Sequence, residues 1–302
     1  MVTKNVFKTI GVVALLLVVY FVFQSVLTVI PLVAYYIKDY ATGAVSMEEL
    51  TSMTSVSAGG AMPPAAVTAL AWGLFLSTIA MLLFLHFTRF YRFERSMFSV
   101  PRRPLVLSVL LVFASMFSLN VLVQCFSLDN LLEVQFDQLS HTFIGAIAIS
   151  VFGPLLEEAL FRGAIQGYMM RHFKPWTAII CSALIFGLAH MNPVQIVYAT
   201  LLGVVFGWIY YRTGNLLSVI VGHVLNNTIA TLTMLFSSSA ADVAASASGV
   251  AYDSATVIMF VIFLALSIFL AVKLHRSLPA VPAPWHESDR SSDNDSSGIT
   301  LL

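Results

Sequence analysis

Residues 153–162 read Gly-Pro-Leu-Leu-Glu-Glu-Ala-Leu-Phe-Arg and place Glu157, Glu158 and Arg162 inside an apolar run. At the centre of a bilayer each such charge costs at least about 2.5–3.5 kcal/mol on insertion scales. On a helix Glu158 and Arg162 are four apart, share a face and stand in the favourable order for an ion pair. Glu157 lies about 100° further around the helix. A buried ion pair that fixes helix packing would explain Glu158 and Arg162 with no chemistry at all. It leaves Glu157 unexplained.

Two later apolar runs also carry polar groups: Phe186-Gly187-Leu188-Ala189-His190 and His223-Val224-Leu225-Asn226-Asn227. His223 and Asn227 are four apart and share a helical face. One intramembrane histidine is ordinarily a helix–helix hydrogen bond. Three runs that each hold such residues point to a shared interior or a watery cavity. Peptide hydrolysis needs an activated water, a proton donor for the leaving amine and donors for the oxyanion. A glutamate can act as general base, with a histidine orienting the same water. A second histidine and an asparagine amide can donate to the oxyanion. Glu157, His190, His223 and Asn227 fill these roles. The rival is zinc held by Glu157, His190 and His223 with one open position. No H-E-x-x-H occurs and the three ligands would come from separate runs, so the expectation is a reaction that requires no cofactor.

The elements that must position these residues are membrane spans. The chain has 302 residues, 59% hydrophobic and 10% charged, with a mean hydropathy of +0.89. Soluble domains carry roughly 25% charged residues. A crossing helix needs about 20 apolar residues, and eight candidates fall near 9–37, 64–87, 105–126, 142–170, 175–190, 194–211, 215–236 and 255–274. The fifth is short, and Asn192-Pro193 separates it from the sixth, so the two could form one broken unit. The expected fold is an all-α integral membrane bundle of about eight transmembrane helices.

Lys and Arg set its orientation. With the N-terminus in the cytoplasm, Lys4, Lys8, Arg89, Arg92, Arg95, Arg102, Arg103, Arg171, Lys174, Arg212, Lys273, Arg276 and Arg290 fall inside, and Lys38 alone falls outside. Both termini are then cytoplasmic, in a multi-pass protein of a bacterial-type plasma membrane. The first run is too long for the core of a cleaved signal peptide. The last residues hold no cysteine, so the chain is not itself a prenylation target. Net charge is zero, against a nucleic-acid partner. Cys125 and Cys181 read as reduced packing residues. The Glu48–Glu49 pair has Met53 where an arginine would be needed and reads as solvated loop charge.

The organisation expected is helices 1–3 with their loops over 1–141, a core of helices 4–7 over 142–236, an outer loop and helix 8 over 237–276, and a disordered tail over 277–302.

The motifs Glu157-Glu158…Arg162, Phe186…His190 and His223…Asn227, in this order and inside spans, resemble the CPBP family, also called Abi or CAAX-protease-like intramembrane proteases. Gly203, Phe206-Gly207, Tyr210, Thr213-Gly214-Asn215 and Ser218 add to the likeness over roughly 150–230. The resemblance implies an endopeptidase that cuts a membrane-embedded or lipidated, CAAX-type peptide. It implies that Glu157 and His190 activate water, that His223 and Asn227 form the oxyanion site, and that Glu158 and Arg162 support them. The expected partners are that peptide and the lipid bilayer. Two other readings compete: a scaffold or bacteriocin-immunity protein that keeps the motif for structure, and a transporter with a Glu–Arg–His proton relay. No matching pair of broken spans favours transport.

Overall fold

The computed structural model describes residues 2–44, 46, 61–91, 100–236 and 254–278. The Glu48–Glu49 pair, the 237–253 stretch and the tail from 279 onward lie outside the described residues. Among the described residues all regular structure is helical. The helices are α1 (Val2–Ala41), α2 (Pro64–Phe87), α3 (Arg102–Gln124), α4 (Glu133–Ser140), α5 (Phe143–Met170), α6 (Pro175–Ala189), α7 (Pro193–Thr213), α8 (Leu217–Phe236) and α9 (Ser254–Ser277).

Seven of these are long and apolar enough to cross a bilayer. The chain is a multi-pass integral membrane protein with an all-α bundle. The expected fifth span, α6, has 15 residues. At 1.5 Å per residue it is roughly 22 Å long, short of a hydrocarbon core of about 30 Å. Residues 190–192 separate α6 from α7, with Met191 at φ 51°, so the two are distinct helices. The stretch expected as an outer loop before α5 contains a helix of its own, α4.

Local chemistry sets the ends. Proline opens α2, α6 and α7 in the first turn, where its missing N–H has no helical partner to lose. Gly214 closes α7 at φ 63°, its N–H donating to the Tyr210 carbonyl at 2.8 Å. Such a left-handed closure suits glycine because it lacks Cβ. Thr142 caps α5 by accepting from the Gly145 N–H at 3.1 Å.

Helix α5 is the axis of the bundle. It touches α2, α6, α7 and α8, while α1 packs mainly on α2 and α9 on α3. The outer helices α1 and α9 turn Leu15, Val18, Val22, Ile262, Ile268 and Phe269 outward, the face that lipid covers. Two stretches of α5 are wound as π-helix, Ala148–Phe152 and Glu158–Gln166. The first ends at Gly153, whose N–H reaches the Ala148 carbonyl, and Pro154 follows. The wider turn accommodates a proline that cannot donate to the preceding turn. A short α segment, Gly153–Glu157, lies between the two π stretches.

Cys125 and Cys181 are both free thiols. Cys181 is half-buried, but Cys125 is exposed at the end of α3. The expectation of packing fails for Cys125 because it follows the last turn of its helix.

Candidate active site

Glu158 and Arg162 are completely buried, with Arg162 Nη1 donating to Glu158 Oε1 at 2.9 Å. Arg162 Nη2 donates to the Gly203 carbonyl of α7 at 3.3 Å. The guanidinium carbon lies 4.2 Å from the ring centre of Phe186 and 5.2 Å from that of Phe206. Two aromatic faces and two acceptors thus surround a cation that has left water. One turn on, Gln166 donates to the Gly207 carbonyl at 2.9 Å and accepts from Ser182 at 3.2 Å. Gly203 and Gly207 let α7 approach: a Cβ on Gly203 would lie 3.1 Å from Arg162 Nη2, and one on Gly207 2.7 Å from Gln166 Oε1.

The same Glu158 oxygen reaches a third helix. His223 Nδ1 of α8 is 2.7 Å from Glu158 Oε1. A carboxylate accepts, so Nδ1 carries a proton and Nε2 is turned the other way. Nε2 lies 3.6 Å from Glu157 Oε2. Glu158 is thus more than the ion-pair partner that spacing alone indicates; it also orients His223.

His190 ends α6. Its Nδ1 faces the Phe186 carbonyl at 2.9 Å, which fixes the proton on Nδ1 and leaves Nε2 as an acceptor. Asn227 Nδ2 donates to the Ile149 carbonyl at 3.0 Å, and its Oδ1 accepts from Asn226 Nδ2 at 2.9 Å. Tyr198 donates to Asn226 Oδ1 at 2.7 Å. This chain of amides, oriented by its hydrogen bonds, leaves one N–H of Asn227 uncommitted.

Glu157, His190, His223, Asn226 and Asn227 all line one cavity of about 760 Å³, enclosed by α1, α2 and α4–α8. Glu158 and Arg162 lie behind its wall. Glu157 Oε2 has no hydrogen-bond partner. The helical hairpin explains how Glu157 and His190 come to share the cavity. Glu157 stands 13 residues before the end of α5, and His190 stands 15 residues after the start of α6. The descent and the return are of similar length, and Glu157 and His190 both line the cavity.

Tyr198, Gln166 and the α1 residues Tyr20 and Gln24 were not singled out by sequence reasoning. Gln166 continues the four-residue spacing of Glu158 and Arg162, and Tyr20 and Gln24 repeat that spacing in a run of aliphatics. Those were the available signals.

Among the described residues no three His, Cys, Asp or Glu side chains gather as a metal-holding group. His190 commits Nδ1 to a carbonyl and His223 commits Nδ1 to the Glu158 carboxylate, so Nε2 of each is the nitrogen that would be left for zinc in the set Glu157, His190 and His223.

Residues 139–229 match the family model described as Type II CAAX prenyl endopeptidase Rce1-like. That segment holds every motif residue described above. A protein of Bacillus subtilis (strain 168) named "Putative membrane peptidase YdiL" is 32% identical over 89 residues, covering 30% of this chain. The match spans only 36% of that relative's own length. No solved structure matches the chain. The similarity supports a membrane protease at the level of the family, and agrees with the resemblance carried by the three motifs.

Proposed function

We propose that the chain is an intramembrane endopeptidase that hydrolyses a peptide bond in a membrane-embedded or lipidated, CAAX-type substrate. The observation that carries this reading is the convergence of Glu157, His190, His223 and Asn227 on one cavity.

Glu157 takes a proton from water. His190 Nε2 accepts from the same water and aims its lone pair at the scissile carbonyl. As the new C–O bond forms, the carbonyl oxygen gathers charge and receives hydrogen bonds from His223 Nε2, in its protonated form, and from Asn227 Nδ2. Glu157 then hands its proton to the amine nitrogen as the C–N bond breaks. Glu158 and Arg162 act behind the wall by holding His223. No metal takes part in these steps. The cavity walls are mostly apolar, with Val29, Leu70, Leu74, Phe136 and Met234 among them, which suits a lipidated or strongly apolar peptide. The chain sits in a bacterial-type plasma membrane with both termini cytoplasmic; the short α6 then counts as one of eight passes.

A scaffold or immunity protein would keep the Glu158–Arg162–His223 network for packing. In such a protein Glu157 would serve only as a second carboxylate, 3.6 Å from His223 Nε2, whereas the peptidase reading uses it as the base. The test is the Glu157→Gln substitution, with cleavage of a prenylated CAAX peptide and the cellular phenotype as readouts. Unchanged function would overturn the peptidase reading.

A further inference from the structure

Three residues of the cavity wall each carry an oxygen that is sealed from the cavity and has no hydrogen-bond partner: Thr28 Oγ1, Gln135 Oε1 and Gln195 Oε1. They come from α1, α4 and α7. Buried polar groups are nearly always paired, so each one needs an explanation.

Thr28 belongs to a polar stripe of its helix. Between Val12 and Ala34 the only polar side chains of α1 are Tyr20, Gln24, Ser25 and Thr28. All four line the cavity, while Val18, Val22, Val26 and Ile30 of the same helix are exposed on its other sides. The polar stripe therefore faces the cavity, away from lipid. Gln24 accepts from Ser77 of α2 and hydrogen-bonds Tyr20 one turn before it. Gln135 and Gln195 are brought to one end of the cavity by Asn192. The completely buried Asn192 accepts from the Leu131 N–H at 3.0 Å and donates to Asn130 at 2.9 Å. Gln135 lies about one turn beyond Leu131, and Gln195 about one turn beyond Asn192.

We propose that Thr28, Gln135 and Gln195 turn these oxygens into the cavity and form a main-chain-binding subsite that accepts hydrogen bonds from the N–H groups of an extended peptide. This rests on the peptidase reading above and adds the conformation in which substrate is held. A helical peptide satisfies its own N–H groups and has none to give. An extended one inside a membrane must find acceptors in the protein, and an unwound segment is also the form whose carbonyl water can attack. A carboxamide matches a peptide unit, with one acceptor and N–H donors. A lipid acyl chain has no donor for these oxygens.

The experiment uses the full-length chain carrying Glu157→Gln, in detergent micelles. The probe is a fluorescein-labelled peptide ending in S-farnesylcysteine and three apolar residues. Companion probes carry one N-methyl group at each successive amide. Binding is read by fluorescence anisotropy. The expected result is that N-methylation of at least one amide raises Kd about tenfold, and that Gln135→Met or Gln195→Met raises Kd of the parent probe similarly. In the matching Met variant that N-methylation should cost almost nothing further. Equal Kd values for all probes, fully additive effects of methylation and substitution, or no binding of the parent probe would each overturn the subsite. If a Met variant fails to fold, the series of N-methyl probes on the unsubstituted wall decides alone. Binding by the chain with Glu157 intact, without any cleavage, would instead overturn the peptidase reading and leave the binding comparison standing.

Discussion

Glu158 Oε1 lies 2.7 Å from His223 Nδ1, and the same oxygen accepts from Arg162 Nη1 at 2.9 Å. One carboxylate oxygen therefore joins two groups on different helices, and the second of them faces the cavity. The ion pair is both a packing element and the mount for a candidate catalytic histidine.

The first consequence concerns folding. Arg162→Leu strips a completely buried carboxylate of its cation, and breaking a buried pair costs about 3–5 kcal/mol. Glu157→Gln removes a charge that faces the cavity. The yield of monodisperse protein after size-exclusion chromatography should fall much further for Arg162→Leu than for Glu157→Gln. Equal yields would contradict the division of roles between the two glutamates.

The second concerns the oxyanion. Asn227→Ala removes one donor and should lower kcat about 10²–10³-fold with a small change in KM. A rise in KM at constant kcat would place Asn227 in ground-state binding instead.

The third concerns the approach of α7 to α5. A methyl on Gly207 meets Gln166 Oε1 at 2.7 Å and Ile179 at 3.1 Å. Gly207→Ala should destabilise by about 1–3 kcal/mol, outweighing the better helix propensity of alanine. Thermal melting of the purified protein checks this, and an unchanged or raised Tm would show that α7 does not press on Gln166.

The fourth concerns the metal. Chelation should leave peptide cleavage unchanged, because the residues at the site supply the base and the donors themselves. Inactivation by chelator with recovery on adding zinc would reverse that assignment.

Much of the bundle was legible because hydropathy follows the bilayer directly: a run of apolar residues marks a span wherever it falls. The motif residues were legible because charge within such a run stands out against its surroundings. The link from Glu158 to His223 was not, because 65 residues separate them and helical spacing reports only on neighbours within one helix. The π winding of α5 escaped as well, since hydropathy is insensitive to hydrogen-bond register. Helix α4 was read as loop because its charges, Glu133 and Asp137, mark exposure and say nothing of backbone conformation. The placement of Glu157 and His190 on one cavity was within reach. The 13 residues from Glu157 to the end of α5 and the 15 from the start of α6 to His190 nearly cancel.

The most direct test compares the purified full-length protein with its Glu157→Gln variant in cleavage of a prenylated CAAX peptide, with folding of both verified by thermal melting. The account predicts that the variant melts like the parent and that cleavage is lost. A folded Glu157→Gln protein that cuts at the parent rate would contradict it.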